Sequence, residues 1–349
     1  KAWVVAGTNL ITSLPGRQET IEALKKLDHL VVVDILPTEI TRYADVLLPA
    51  ASYLERPDPL VATQNRDSYV AIRRAATEPL GESQCECLIA AGMGKAMGLS
   101  SFWAWTSLEE FDERIVATYN KGHGDHPIDW DELNSRGCVI LDDQSPIYRE
   151  GLGLGPKGEQ RAGREATFPE FDRSEGNNRV RLYSMDLDRV WRQKTKAGDD
   201  PTGFEPLPTY YAPSLGPPGH VRLLYGRSPV HTFGRTQNTP VLHGREKENA
   251  IWVSPTIAAA FNVADCDAVE VVNQDGVRQG PVKLKVTSRM GNEAVYLTHG
   301  HGHNSRQLSR AYRKGADDSA LITRYVVDPI SGGTAMRVNF VRLVKPHRV

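Results

Sequence analysis

The chain has 349 residues, long enough for two or more hydrophobic cores, and its 40% hydrophobic and 24% charged content excludes a disordered or collagen-like chain. A formal net charge of −1 offers no general attraction to nucleic acid or to an anionic membrane, so the arginines have to be read locally. No apolar run approaches the roughly 20 residues of a membrane-spanning helix.

Residues 2–7 (AWVVAG) and 30–34 (LVVVD) are continuous apolar runs ending in Gly or Asp, the pattern of strands buried on both faces of a parallel sheet. Between them, Ile21, Leu24 and Leu27 fall at helical spacing within 18–27. A third run at 44–48 follows a short helix for which Thr38 is the predicted cap. This is a strand–helix–strand unit, read as a fragment of a doubly wound parallel sheet. Ligands bind such sheets beyond the carboxyl ends of the strands, where Gly7-Thr8-Asn9 and Asp34 fall. A carboxylate there suits ribose hydroxyls or the N1–H and N2–H donors of guanine. Taken alone, Asn9 reads rather as a turn residue ahead of Pro15-Gly16, and Asp34 as a helix cap.

Pro57 and Pro59 then break regular structure, with Arg56 placed for a phosphate or for a surface ion pair. Residues 88–97 read as a helix weakened by glycines. Cys85, Cys87, Cys138 and Cys266 include no CxxC pair and are read as structural thiols. The glycines of 151–163 are flanked by no strand and helix, so the stretch is no phosphate loop, and 199–218 reads as a linker.

From 221 onward short strands dominate. Residues 268–273 and 277–286 flank Asp275-Gly276, a hairpin signal, and 294–298 and 338–343 continue the pattern of a closed β-barrel. The first strand of this region runs into LLYGRSPVHTFGRTQNTPVL (223–242), where Arg227, His231 and Arg235 recur every four residues among Ser228, Thr232, Thr236 and Asn238. These are donors for phosphates and heterocycles, and Gly226 and Gly234 allow the backbone to approach a ligand. His299, His301 and His303 alternate with glycines after 294–298; kept extended, they would face one side and suit zinc or copper, although the glycines make a loose platform.

Three of these stretches together carry a resemblance. Residues 31–56 (VVVDILPTEITRYADVLLPAASYLER), 225–240 (YGRSPVHTFGRTQNTP) and 328–343 (DPISGGTAMRVNFVRL) are similar, in order, to the molybdopterin oxidoreductase family, and most of all to polysulfide and thiosulfate reductase catalytic subunits. The resemblance implies a C-terminal barrel closing over the pterins of a molybdenum (or tungsten) bis(molybdopterin guanine dinucleotide). It carries Thr8, Asn9, Asp34, Arg56, Glu86, Gly226, Arg227, Ser228, His231, Thr232, Arg235, Arg337 and Asn339 over as cofactor-binding residues, with no metal ligand among them. Ala320 stands where relatives have Asn. Because the chain begins with Lys1 and lacks both the family's cysteine motif for a 4Fe–4S cluster and its metal-ligating stretch, it is read as the C-terminal part of a longer polypeptide, inactive by itself.

The expected organisation is an α/β cofactor-binding region over 1–100, an irregular insert and linker over 101–218, and a barrel over 219–349. The intact enzyme would reduce an inorganic sulfur compound in anaerobic respiration, with an iron–sulfur electron-transfer subunit and a membrane-anchor subunit, on the periplasmic or cell-envelope side. The rival reading is a non-catalytic nucleotide- or metal-binding module using Asp34 and the run His299, His301 and His303.

Overall fold

The computed structural model describes residues 1–63, 69–122, 127–141 and 182–346; the glycine-rich stretch 151–163 lies outside them. In chain order the strands are β1 (Ala2–Ala6), β2 (His29–Asp34), β3 (Val46–Pro49), β4 (Asp58–Thr63), β5 (Tyr69–Arg73), β6 (Cys138–Ile140), β7 (Val221–Gly226), β8 (Ala250–Val253), β9 (Ala268–Asn273), β10 (Arg278–Val286), β11 (Ala294–Thr298), β12 (Val326–Val327), β13 (Thr334–Ala335) and β14 (Phe340–Val344). Two compact units result: residues 1–48 with 210–349, and residues 49–209. Residues 58–73 belong to the second because β5 pairs with β6 of the middle region, Val70 opposite Val139.

In the first unit β1 and β2 are parallel, Ala2 opposite His29 through Ala6 opposite Val33, in a three-stranded sheet ordered β1-β2-β3. The central strand is buried along Leu30–Val33, as its unbroken apolar run predicts. Its neighbour β1 differs from expectation: Trp3 and Val4 are exposed, because an edge strand of so small a sheet is covered on one face at most. The helix Arg17–Leu24 crosses between them, and Val5, Ile11, Leu24, Leu30, Val32 and Ile40 form the core. Thr38 precedes the 3-10 turn Glu39–Tyr43, but its side chain makes no capping hydrogen bond.

The rest of this unit is a closed barrel of six strands in the order β10-β8-β11-β7-β14-β9. Alternate residues point inward, so Leu223, Ile251, Val253, Val269, Val271, Val295, Leu297 and Val341 are all buried. The Asp275-Gly276 turn joins antiparallel β9 and β10, with Gly276 at φ 85° and its N–H on the Asn273 carbonyl at 3.0 Å. One pairing positions the site. Strands β7 and β11 run parallel, Arg222 opposite Ala294 through Gly226 opposite Thr298, so the loops that follow them leave from the same rim.

In the second unit β4, β5 and β6 form an antiparallel sheet, packed with the helices Leu108–Gly122 and Trp130–Arg136 around Val70, Val116, Ile128 and Leu133. The helix Glu86–Ala96 holds one of its two glycines for a steric reason: a Cβ at Gly94 would lie 2.6 Å from the Trp103 indole, whereas one at Gly92 would meet nothing within 4 Å.

Candidate functional site

The loop after β7 is organised from within. A Cβ at Gly226 would meet the Tyr296 hydroxyl at 2.7 Å, so any larger residue there would have to displace that ring. Ser228 donates to Glu246 Oε2 at 2.7 Å and accepts the N–H of Val230 at 2.9 Å and of His231 at 3.2 Å, which makes it a turn residue. His231 is buried, with Nε2 2.8 Å from the Glu246 carbonyl and Nδ1 3.2 Å from Thr236 Oγ1. The carbonyl can only accept, so Nε2 carries the proton and Nδ1 takes the hydroxyl's. The N–H of Thr232 also donates to Thr236 Oγ1, at 2.9 Å. Phe233 adopts φ 47°, a left-handed conformation costly for a residue with a side chain. Gln237 Nε2 donates to its carbonyl, and Gly300 packs so closely there that a Cβ would clash with the same carbonyl.

The histidine run does not converge. His299 Nδ1 lies 2.8 Å from Asp318, His301 Nε2 3.2 Å from Glu246, and His303 Nδ1 3.1 Å from Glu39. The extended conformation needed for a common face is broken at Gly300 (φ 93°) and Gly302 (φ 74°), so successive imidazoles turn to separate carboxylates. Burial pushes His301 down to about 4 against the pull of Glu246, and it is neutral at pH 7. Burial also opposes charge on His299, but the hydrogen bond and charge of Asp318 outweigh it and raise its pKa. Among the described residues, His231, Glu246 and His301 hold potential ligand atoms within 4.8 Å of one another. His301 Nδ1 is buried with no partner.

At the carboxyl ends of β1 and β2 the chain meets this loop. Arg235 donates to the main-chain carbonyl of Gly7, which sits at φ 62°, with Thr8 half-buried beside it. Burial raises the pKa of Asp34, opposed by the N–H groups of Ile35 (2.7 Å) and Leu36 (3.3 Å) and by the charge of Arg235. Asn9 Nδ2 donates to Glu39 Oε2 at 2.7 Å, leaving its Oδ1 buried with no donor.

The arginines are held by surfaces other than carboxylates. Arg227 lies over the Phe233 ring at 4.7 Å and Arg337 over that of Tyr225 at 5.8 Å. Among the described residues no carboxylate forms an ion pair with Arg227, Arg235 or Arg337, whose charges remain available to an anion.

Not every predicted residue joins this grouping. Asn339 is fully buried with both ends of its amide occupied: Nδ2 donates to the Arg324 and Met336 carbonyls at 2.7 and 2.8 Å, and Oδ1 accepts from Thr323, Arg324 and Gln274. Its place is structural, tying β14 to the 323–324 backbone. Within residues 49–209, Arg56 and Glu86 pair with each other at 3.3 Å, and Arg56 also with Asp58 at 3.3 Å. The sequence reading named no role for Glu39, Glu246 or Asp318, which the fold makes central. Glu39 stood in a quoted motif, whereas Glu246 lies in an unremarkable charged stretch.

The unpaired cations and the orphaned Asn9 oxygen suit an anionic ligand with N–H or O–H donors, which a pterin dinucleotide is. Residues 221–340 match the molydopterin dinucleotide binding domain, and residues 1–92 the molybdopterin oxidoreductase domain. The thiosulfate reductase molybdopterin-containing subunit PhsA of Salmonella typhimurium is 25% identical over 95% of this chain and 42% of its own length. A nitrate reductase of Klebsiella oxytoca is 24% identical over 95% of this chain and 34% of its own. The chain thus spans less than half the length of these relatives. The acetylene hydratase of Pelobacter acetylenicus superposes with a TM-score of 0.68 over 99% of this chain and 44% of its own, at 19% identity, which shows a shared fold. The cofactor that the matched domains bind is molybdenum bis(molybdopterin guanine dinucleotide). The chain belongs to the molybdopterin oxidoreductase family.

Proposed function

We propose that this chain is the dinucleotide-holding part of a molybdenum or tungsten oxidoreductase that reduces an inorganic sulfur compound such as thiosulfate or polysulfide. The single observation that carries the cofactor role is the set Arg227, Arg235 and Arg337, cations at or beside the barrel rim with no carboxylate pairing them among the described residues. The sulfur substrate rests on the similarity to a thiosulfate reductase subunit over 95% of the chain. In this reading β1-β2-β3 belongs to a doubly wound sheet, and an iron–sulfur subunit and a membrane-anchor subunit pass electrons to the enzyme at the periplasmic or cell-envelope side.

The bound metal and its dithiolenes supply the redox chemistry. This chain's residues bind and orient. Arg227 and Arg235 neutralise phosphate or pterin oxygens. Asp34 and Asn9 accept hydrogen bonds from the nucleotide, and Thr8 and Thr232 add hydroxyls nearby. His231, held in one tautomer by the Glu246 carbonyl, keeps the loop in register. No residue here is required to act as acid or base.

The test is turnover of the holoenzyme with a reduced dye and thiosulfate, polysulfide or nitrate in parallel. Sulfide release with the sulfur compounds and little nitrate reduction supports the reading; nitrate turnover alone overturns the substrate. The 349-residue chain by itself should show none. A second reading, a non-catalytic metal-binding module, moves from the three alternating histidines to His231, Glu246 and His301. Stoichiometric zinc on the purified chain, lost in His301→Ala, would favour it.

A further inference from the structure

Glu39 is a buried carboxyl group that the dinucleotide reading leaves without a task. It lies in the 3-10 turn after β2, and its side chain and that of His303 are each 3% exposed. Its two oxygens share His303 and divide the other partners between them. Oε1 accepts the N–H of Asn304 at 2.7 Å and of Ser305 at 3.2 Å, along with His303 Nδ1 at 3.1 Å. Oε2 accepts Asn9 Nδ2 at 2.7 Å and stands 3.2 Å from His303 Nδ1. The group is ionised: burial would raise its pKa, but the hydrogen bond and charge of His303 and the N–H of Asn304 bring it to about 2.

An ionised carboxylate has no proton to donate, so only the NH2 end of the Asn9 amide can face it. The other end, Oδ1, is thereby fixed as an acceptor, and it is buried without a donor. A buried carbonyl oxygen left unpaired is costly, typically about 1–3 kcal/mol, and a donor from outside the chain removes that cost. A residue able to rotate its amide would present donor or acceptor indifferently. Asn9 is denied that choice by Glu39.

We propose that Glu39, clamped by His303 and the 304–305 backbone, is a positioning residue that polarises Asn9, so that the site presents an acceptor and selects a nucleobase edge or ribose hydroxyl that donates. The proposal rests on the dinucleotide reading and adds to it the reason for the amide's orientation. It also accounts for a carboxylate buried where a phosphate-bearing ligand binds: the negative charge is turned inward to four donors, and the atom left without a partner is a neutral oxygen.

The test inverts the polarity at one atom. In Glu39→Gln the remaining oxygen can keep the Asn304, Ser305 and His303 hydrogen bonds, while the new NH2 faces Asn9 and forces its amide to flip. In Asn9→Asp two carboxylates oppose each other. The double variant Glu39→Gln/Asn9→Asp restores a donor-to-acceptor pair with an oxygen facing the ligand. Nucleotide released by acid from each purified holoenzyme is the readout, with the thermal midpoint of the nucleotide-free protein measured alongside. Each single variant should retain roughly tenfold less guanine nucleotide, about the loss of one buried hydrogen bond, and the double variant should recover most of it. Should Glu39→Gln fail to fold, Asn9→Asp against the double variant carries the same comparison. Retention by Asn9→Asp equal to the parent's, or a folded double variant no better than Asn9→Asp, overturns the proposal. A parent holoenzyme that releases no guanine nucleotide overturns the dinucleotide reading itself, which is a separate result.

Discussion

Arg17 and Asp317, 300 residues apart in sequence, form a largely buried ion pair that fastens the helix after β1 to the segment leading out of the barrel. Asp317 also caps the short helix Asp318–Leu321, accepting the N–H of Ser319 at 3.0 Å and of Ala320 at 3.3 Å. Burial raises its pKa and the charge of Arg17 opposes that. Replacing Arg17 with Met leaves a carboxylate buried and unpaired, and should destabilise this unit by about 3–5 kcal/mol. Urea unfolding measures it; a loss under about 1 kcal/mol would mean that water or another cation reaches Asp317.

Acid should loosen the same unit through His301. Its folded pKa, pushed down by burial to about 4, lies below the ordinary 6.5, so the unfolded chain takes up the proton first. This contribution to stability is complete above 6.5 and is lost as pH falls toward 4. Thermal midpoints between neutral pH and mild acid should fall for the parent and less steeply for His301→Gln. Parallel slopes would place the proton uptake elsewhere.

Arg235 donates to the Gly7 carbonyl and its charge acts on Asp34, and Arg227 lies over the Phe233 ring. Each should contribute about 1.5–3 kcal/mol to holding an anionic cofactor. Arg235→Ala and Arg227→Ala are expected to lower pterin content of the holoenzyme, while Arg245→Ala, exposed at the end of the helix Pro240–Arg245, leaves it unchanged. Equal pterin in all three would remove the rim arginines from the site. Arg149, another natural control, lies outside the described residues.

Asp34 sits at the carboxyl end of the central strand, and its carboxylate would repel phosphate, so the proposed function pairs it with nucleotide donors. Asp34→Asn should weaken cofactor binding by about 1.5–3 kcal/mol and leave the rate per bound metal nearly intact. Full cofactor content with a strongly reduced rate per metal would move Asp34 to the chemistry.

Local pattern determined a good deal by itself. The unbroken run Leu30–Val33 specified a buried strand, Asp275-Gly276 a hairpin, and the spacing of Ile21 and Leu24 a helix, although that helix ends at Leu24 and leaves Leu27 outside it, because burial periodicity and turn chemistry act over a few residues. The cluster Arg227–Arg235 was visible as donors in a loop beyond a strand. What the sequence could not decide is which partner each side chain meets. The edge position of β1 left Trp3 and Val4 exposed although their run matched that of β2. The alternation of His299, His301 and His303 promised a common face, yet positive φ at the two intervening glycines sent the rings to Asp318, Glu246 and Glu39. Asn339 looked like a late ligand contact and turned out to be occupied by four backbone groups and the Gln274 amide. These outcomes depend on contacts between residues dozens to hundreds of positions apart, where burial and hydrogen-bond satisfaction are set by the closed barrel and its parallel β7–β11 pair, and no local period encodes them.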